Sequence, residues 1–425
     1  MSRALIKSNL GLSSSLSKLV KFRGFNTSSN VILANSSSSS KPTAAFKMKA
    51  KVYERKPAIS KEFINPVSWE LEKVNSVLLP ELSSVNAEED NLNKVFSLPS
   101  ESKHKLEHNF PKRLADEFLA TRETGLLFRQ STLDILNHVK ASKGKSASPL
   151  IIDGVVGTGK SALLLQIVSQ IMLEDWLVIY LPEVKSLVNG SRPYNYSASE
   201  GLYLQPTAAA HILALALKFN KETLSKISLG EVIKIGPHTY SEDSNLGQIV
   251  TLGSKDLNFS HQCLDKFLLV ISQQTKVPVL IAIDEINTLY GTSEYYNTES
   301  RLLKCTELSV IKSLVKLVEE KQVLKNGIVL GATSWVDKGL VSDAFGPKDL
   351  AKPAARIHQA SLPSGAKFDR YYTQLYSQAE TQVLAKYYHE ASIIYEELTP
   401  QEVTKKFLVS SGNPHKFYLS CARLL

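Results

Sequence analysis

Gly154-Val-Val-Gly-Thr-Gly-Lys-Ser161 is the stretch that decides the fold. It fits G-x-x-x-x-G-K-S, a loop whose successive backbone N–H groups turn inward around phosphate oxygens while Lys160 adds a point charge. Gly154, Gly157 and Gly159 flank Thr158 and keep the turn free of side chains that would crowd an anion. Ser161 opens the following helix with a hydroxyl that can reach Mg²⁺. Working outward, Pro149–Asp153 is a short apolar run of the buried parallel-strand kind, and residues 162–172 are apolar nearly all round, as a helix packed on a sheet should be. The order strand, loop, helix predicts a site for a nucleoside triphosphate or diphosphate.

A second strand belongs to the same site. Val277-Pro-Val-Leu-Ile-Ala-Ile-Asp-Glu285 ends in two carboxylates, 124 residues after the lysine in the case of Asp284. Asp284 at the strand tip is suited to the Mg²⁺ shell, and Glu285 to polarising an attacking water. A third apolar strand, 327–334, ends in Thr333 and Ser334, hydroxyls where NTPases of this layout carry a polar sensor. Trp176–Leu181 and 368–376 complete the strands. The predicted class is α/β: a P-loop NTPase core of AAA-like, additional-strand type, its parallel sheet flanked by helices.

Charge is unevenly placed. The chain has 425 residues and a formal charge of +9, but nine Lys and Arg and no acid precede Glu54, leaving 41 basic and 41 acidic residues in the rest. A general basic field for nucleic acid is therefore excluded, and RNA contact is expected from local patches or a basic arm. Cys263, Cys305 and Cys421 are scattered without a C-x-x-C pair, which excludes a zinc site and a disulfide framework. No apolar stretch approaches the roughly 20 residues of a membrane span, so no membrane insertion is expected.

Residues 1–25 alternate leucines with Arg, Lys and Ser, the composition of a mitochondrial transit peptide, with cleavage expected near Phe25 and the matrix as destination. Residues 26–107 begin with a serine run and form a flexible arm and an extended N-terminal segment. The NTPase core is placed at 108–376. In it, 125–140 reads as a turn and an amphipathic helix, and Phe128 and Arg129 are candidates for contact with the base. An insertion of about 184–276 carries helical patterning at 207–219 and 261–273 around a polar piece with three glycines. Capping signatures at Ser377-x-x-Glu380, Thr399-x-x-Glu402 and Asn413-Pro414 start the helices of a small C-terminal lid, 377–425.

The chain resembles the P-loop protein of the mitochondrial small ribosomal subunit, the death-associated protein three family. The resemblance covers about 108–425. It is carried by the phosphate loop, by Asp175-Trp-Leu-Val-Ile-Tyr-Leu-Pro182, by Ile283-Asp-Glu-Ile-Asn-Thr-Leu-Tyr-Gly291 and by Leu408-Val-Ser-Ser-Gly-Asn-Pro414. It implies a guanine nucleotide, GTP or GDP, with Mg²⁺, and contacts with small-subunit rRNA, neighbouring ribosomal proteins and the large subunit. It assigns phosphate to Gly157, Thr158, Gly159 and Lys160, and metal to Ser161 and Asp284. No Asn-Lys-x-Asp guanine reader is present, so the residues alone leave ATP open. Two classes of function compete: a structural ribosome component stapled by its nucleotide, and a cycling ATPase or GTPase that uses Glu285. Arg356 and Arg370 follow the sensor strand, but neither sits in a recognisable arginine-finger motif.

Overall fold

The computed structural model describes residues 77–83, 87–319, 324–335 and 368–422, all in the unit spanning Glu70–Leu425. Residues 1–25, expected as a transit peptide, the serine-rich stretch and Arg356 lie outside the described residues.

In chain order the first elements are β1 (Lys94–Ser97), α1 (Ser100–Leu106), α2 (Lys112–Thr121), β2 (Gly125–Phe128) and α3 (Gln130–Ala141). Then come β3 (Leu150–Asp153), α4 (Lys160–Ile171), β4 (Leu177–Leu181) and the hairpin β5 (Asn195–Ser197) and β6 (Leu202–Leu204). They are followed by α5 (Pro206–Ser225), the hairpin β7 (Ile233–Ile235) and β8 (His238–Tyr240), α6 (Leu246–Lys255), α7 (Ser260–Gln273) and β9 (Val279–Asp284). The chain continues with β10 (Thr292–Tyr296), β11 (Leu302–Lys304), α8 (Ser309–Glu319), β12 (Gly327–Ala332), β13 (Asp369–Tyr372), α9 (Gln378–Glu390), α10 (Pro400–Ser410) and α11 (Pro414–Cys421).

Five strands form one parallel sheet in the order β13-β3-β12-β9-β4. The protein is therefore α/β, a parallel sheet flanked by helices. Strands β3, β4, β9 and β12 are buried along their whole length, which is why they appear in the sequence as unbroken apolar runs rather than alternations. Helix α4 is buried nearly all round for the same reason. At the open edge, Asn220 covers β4: its Oδ1 accepts from the Val178 N–H and its Nδ2 donates to the Val178 carbonyl, both at 2.7 Å. Asn220 leaves helical geometry to do so, at φ −130° and ψ 29°, kinking α5. Burying a strand edge without such partners would leave both groups unpaired.

Two expectations are corrected. Residues 125–128, read as a turn, are strand β2, paired antiparallel with β1 in the register Lys94 to Phe128; four residues of hidden pairing carry no periodic signal. The polar piece of the insertion contains β8 and helix α6, whose cap Asn245 accepts from the Gln248 N–H. All three C-terminal caps form as read: Ser377 makes a complete capping box with Glu380, while Thr399 and Asn413 accept from the N–H groups of Glu402 and Lys416. These helices do not close a core by themselves. Leu384, Tyr387, Tyr388, Val403 and Phe417 pack with Val95 of β1 and Leu127 of β2 in one cluster.

Candidate functional site

Strand β3 sits inside the sheet, and its C-terminal end hands the chain to the phosphate-type loop and then to α4. Asp153, fully buried at that end, organises the surroundings. Its Oδ1 accepts from the Gly154 N–H at 2.7 Å, the Thr333 hydroxyl at 2.7 Å and the Trp335 indole at 3.2 Å. The end of β12 is thereby tied to the start of the loop. Thr158 caps the turn internally, donating to the Val155 carbonyl and pairing with the Thr373 hydroxyl at 2.7 Å.

The glycines have different reasons. Gly159 adopts φ 86°, which favours glycine, and a Cβ there would meet no atom within 4 Å, so that side of the loop faces open space. A Cβ on Gly157 would instead lie 2.5 Å from Asn413 Oδ1, and one on Gly154 would collide with the Thr373 hydroxyl. The crowding at those two positions comes from the protein itself, whereas the Cβ side of Gly159 is open.

Asn413, the cap of α11, donates its amide to the Val156 carbonyl at 2.8 Å, and the His415 N–H donates to the Gly157 carbonyl at 3.0 Å. The C-terminal helices thus grip the outer side of the loop. In the sequence, Asn413-Pro414 signals only a helix start; the second use of the same side chain leaves no local trace.

Lys160 is buried, and its ammonium donates to the Gly154 carbonyl at 3.0 Å and the Val155 carbonyl at 2.9 Å. Ser161 stands close enough to Asp284 to favour its charged form. Asp284 is buried at the tip of β9, and burial pushes its carboxyl up to about 6 against the opposing pull of Ser161, the Glu285 N–H and Lys160. The neighbouring Glu285 occupies left-handed backbone at φ 58°, and its Oε2 accepts from the Lys185 N–H at 3.2 Å. Burial, with the Asp284 charge second, raises it to about 7. Ser334 is held by Asn287 through both backbone groups, at 2.7 and 2.6 Å.

Gly157, Gly159, Lys160, Ser161, Asp284, Glu285 and Ser334 all line one cavity of about 680 Å³. Its other walls come from His108–Leu114, Leu126, Arg192, Tyr376 and His415. Phe128 and Arg129 do not line it. Phe128 is fully buried against Phe96, Leu82 and Leu133. Arg129 pairs with Glu380 at 2.6 Å, donates to the Gln374 and Leu375 carbonyls and lies over the Tyr376 ring. The carbonyls of both residues are also taken, by Asn93, Thr132 and Leu133. Their place before the helix that leads into the loop strand gave a false lead, because β2 pairs with β1 and not with the main sheet. The wall at 108–114, Arg192 of the insertion and the hub at Asp153 were not read as site residues. Arg370 lies on β13 over the Phe368 ring.

The donor set suits a polyphosphate with a hard cation: an open loop face, a buried ammonium resting on neutral carbonyls, and a hydroxyl–carboxylate pair beside it. Tyr180 adds a buried hydroxyl with no partner among the described residues, and Asp284 is among the charges that act on it. Among the described residues no cluster of three or more His, Cys, Asp or Glu could hold a metal by itself, so a cation here would draw its remaining ligands from phosphate and water. Among the described residues, too, no helix is long and apolar enough to cross a membrane.

Fold and site together define an α/β protein with a glycine-rich G-x-x-x-x-G-K-S loop at the end of an interior parallel strand. The chain belongs to the mitochondrial ribosomal death-associated protein 3 family, which it matches over residues 126–420. Its relatives include the small ribosomal subunit protein mS29 of Neurospora crassa, 26% identical over 285 residues, which are 61% of this chain and 57% of the relative. The mS29 of Schizosaccharomyces pombe is 23% identical over 78% of this chain and 71% of its own length, and that of Bos taurus 23% over 75% and 80%. The match thus spans little more than half of the Neurospora relative.

Proposed function

We propose that this chain is a structural constituent of the mitochondrial small ribosomal subunit, in which it holds a purine nucleotide, GTP or GDP rather than ATP, together with Mg²⁺. Residence in the mitochondrial matrix and contacts with small-subunit rRNA, neighbouring ribosomal proteins and the large subunit belong to the same proposal. The observation that carries it is the convergence of Lys160, Ser161, Asp284 and the open face of Gly159 on one cavity, in a chain of a mitochondrial ribosomal family. The position of β12 between β3 and β9 supports the AAA-like, additional-strand reading of the core.

Gly157, Thr158, Gly159 and Lys160 would hold phosphate, and Ser161 with Asp284 the cation, whose contribution when bound is to neutralise phosphate charge. Lys160 rests on carbonyls it can exchange for phosphate oxygens at small cost. A ligand that binds only the folded chain stabilises it by the logarithm of its concentration over its dissociation constant, which makes the nucleotide a folding staple.

One observation favours a second reading, a working GTPase or ATPase. Glu285 lines the cavity and is raised to about 7, a value suited to taking a proton from water near neutral pH. Against it, Thr333 spends its hydroxyl on Asp153 and Ser334 its backbone on Asn287. The test is to sediment a mitochondrial lysate on a density gradient. Co-migration with the small ribosomal particle is expected, and a chain that stays with free proteins contradicts the assignment.

A further inference from the structure

We propose that Glu117 reads the base, accepting from the N1–H and the exocyclic amine of a guanine; this rests on the nucleotide-binding reading above. The acids that line the cavity fall into two groups. Glu183, Asp284 and Glu285 stand with Lys160 at the carboxylate-strand end, and Glu285 and Glu183 flank Lys185 there. Glu117, on α2, lines the same cavity but stands apart from them, beside Tyr388, Tyr376 and Tyr418. Phe110, Leu126, Tyr376 and Pro414 are among the apolar and aromatic residues of the cavity lining, the kind that suits a planar ring.

The orientation of Glu117 is fixed. Its Oε1 accepts from the Tyr388 hydroxyl at 2.6 Å, fastening α2 to α9. Its second oxygen has no partner among the described residues. The residue keeps some exposure, and Tyr376 and Tyr418 lie within electrostatic reach of its carboxyl. A carboxylate only accepts. The guanine edge offers two adjacent donors, N1–H and the 2-amino group, whereas adenine sets the acceptor N1 beside its amine. A carboxylate therefore pairs with guanine and opposes the N1 of adenine. No Asn-Lys-x-Asp stretch supplies such an acceptor elsewhere.

A bond that merely fastens two helices would affect stability and leave base choice untouched. The test is calorimetric titration of the full-length chain with Mg²⁺ and GDP, ADP or xanthosine diphosphate. The intact chain should prefer GDP. Glu117→Gln offers one acceptor and one donor, which suit the N1–H and 2-carbonyl of xanthine. This variant should lose on the order of 10- to 100-fold in GDP affinity, the scale of a charge-assisted bond, gain affinity for xanthosine diphosphate and, with the opposition to adenine N1 removed, lose none for ADP. Lys160→Ala should weaken all three alike.

A Glu117→Gln chain that keeps the GDP-over-ADP ratio overturns the assignment and leaves nucleotide binding standing. An intact chain that binds none of the three overturns both. Should Glu117→Gln not fold, Glu117→Asp withdraws the acceptors by one methylene: selective weakening of GDP is expected, and equal weakening of GDP and ADP overturns the proposal.

Discussion

Asn413 spends its two side-chain atoms on two different elements: Oδ1 caps α11 by accepting from the Lys416 N–H at 3.1 Å, and Nδ2 donates to the Val156 carbonyl at 2.8 Å. The helix start and the loop are therefore one mechanical unit, and a single substitution can separate the two roles. Asn413→Asp keeps the acceptor and so the cap, but has no donor for Val156. Hydrogen exchange is expected to accelerate at the amides of 155–159 while those of 416–421 stay protected. Asn413→Ala should loosen both, costing about 1 kcal/mol from the cap alone. Equal protection of the loop in Asn413→Asp and the parent chain would show that the clamp does not hold it.

Asp153 should behave as a structural hub. Removing its carboxyl takes away the acceptor shared by the Gly154 N–H, the Thr333 hydroxyl and the Trp335 indole, and losing a buried hydrogen-bond partner costs about 1–3 kcal/mol. Asp153→Ala is expected to lower unfolding stability by about 3 kcal/mol or more, and Thr333→Val by about 1 kcal/mol, in denaturant titrations. A Thr333→Val chain of unchanged stability but altered nucleotide turnover would instead mark Thr333 as a sensor.

The stability of the ligand-free chain should depend on Glu117. Burial lifts this carboxyl from 4.5 to about 7, with the Tyr388 bond acting in the opposite direction. A carboxyl raised on folding binds its proton more tightly in the folded state, so its ionisation opposes folding. Its contribution to stability is therefore highest below about 4.5, falls as pH rises through the window to about 7, and is flat above it. Glu117→Gln should remove this slope and leave those of Asp284 and Glu285, which have the same sign. Thermal unfolding of both chains across that range checks it: parallel curves would contradict the account.

Lys160 and Glu285 separate binding from turnover. Lys160→Ala should lower the amount of assembled small subunit, because the loop loses its buried cation. Glu285→Gln, which keeps the shape and the acceptor for Lys185, should leave assembly nearly intact. Mitochondrial translation that stops in Glu285→Gln with subunits still assembled would decide for the enzymatic reading.

The main sheet was legible because its interior strands are buried on both faces and so announce themselves as unbroken apolar runs ending at Asp153, Asp284 and Thr333. The loop was legible because G-x-x-x-x-G-K-S packs its chemistry into eight neighbouring residues. The cavity wall away from the loop was not. It is assembled from residues far apart in the chain, Phe110, Glu117 and Tyr376, none of which carries a spacing signal, and Phe128 and Arg129, read as base contacts, turn into another core and an ion pair. The lid was legible as helices but not as a clamp, since a cap signature says nothing of what the other atom of the amide touches.

The account stands or falls on the loop holding a phosphorylated ligand. The most direct measurement is native mass spectrometry, with chromatography of the extracted nucleotide, on small ribosomal particles purified from mitochondria at low ionic strength. One guanine nucleotide bound to this chain per particle is predicted, and its loss from any particle that assembles with Lys160→Ala. A chain that leaves the intact particle at its bare polypeptide mass, with no nucleotide in the extract, would contradict it.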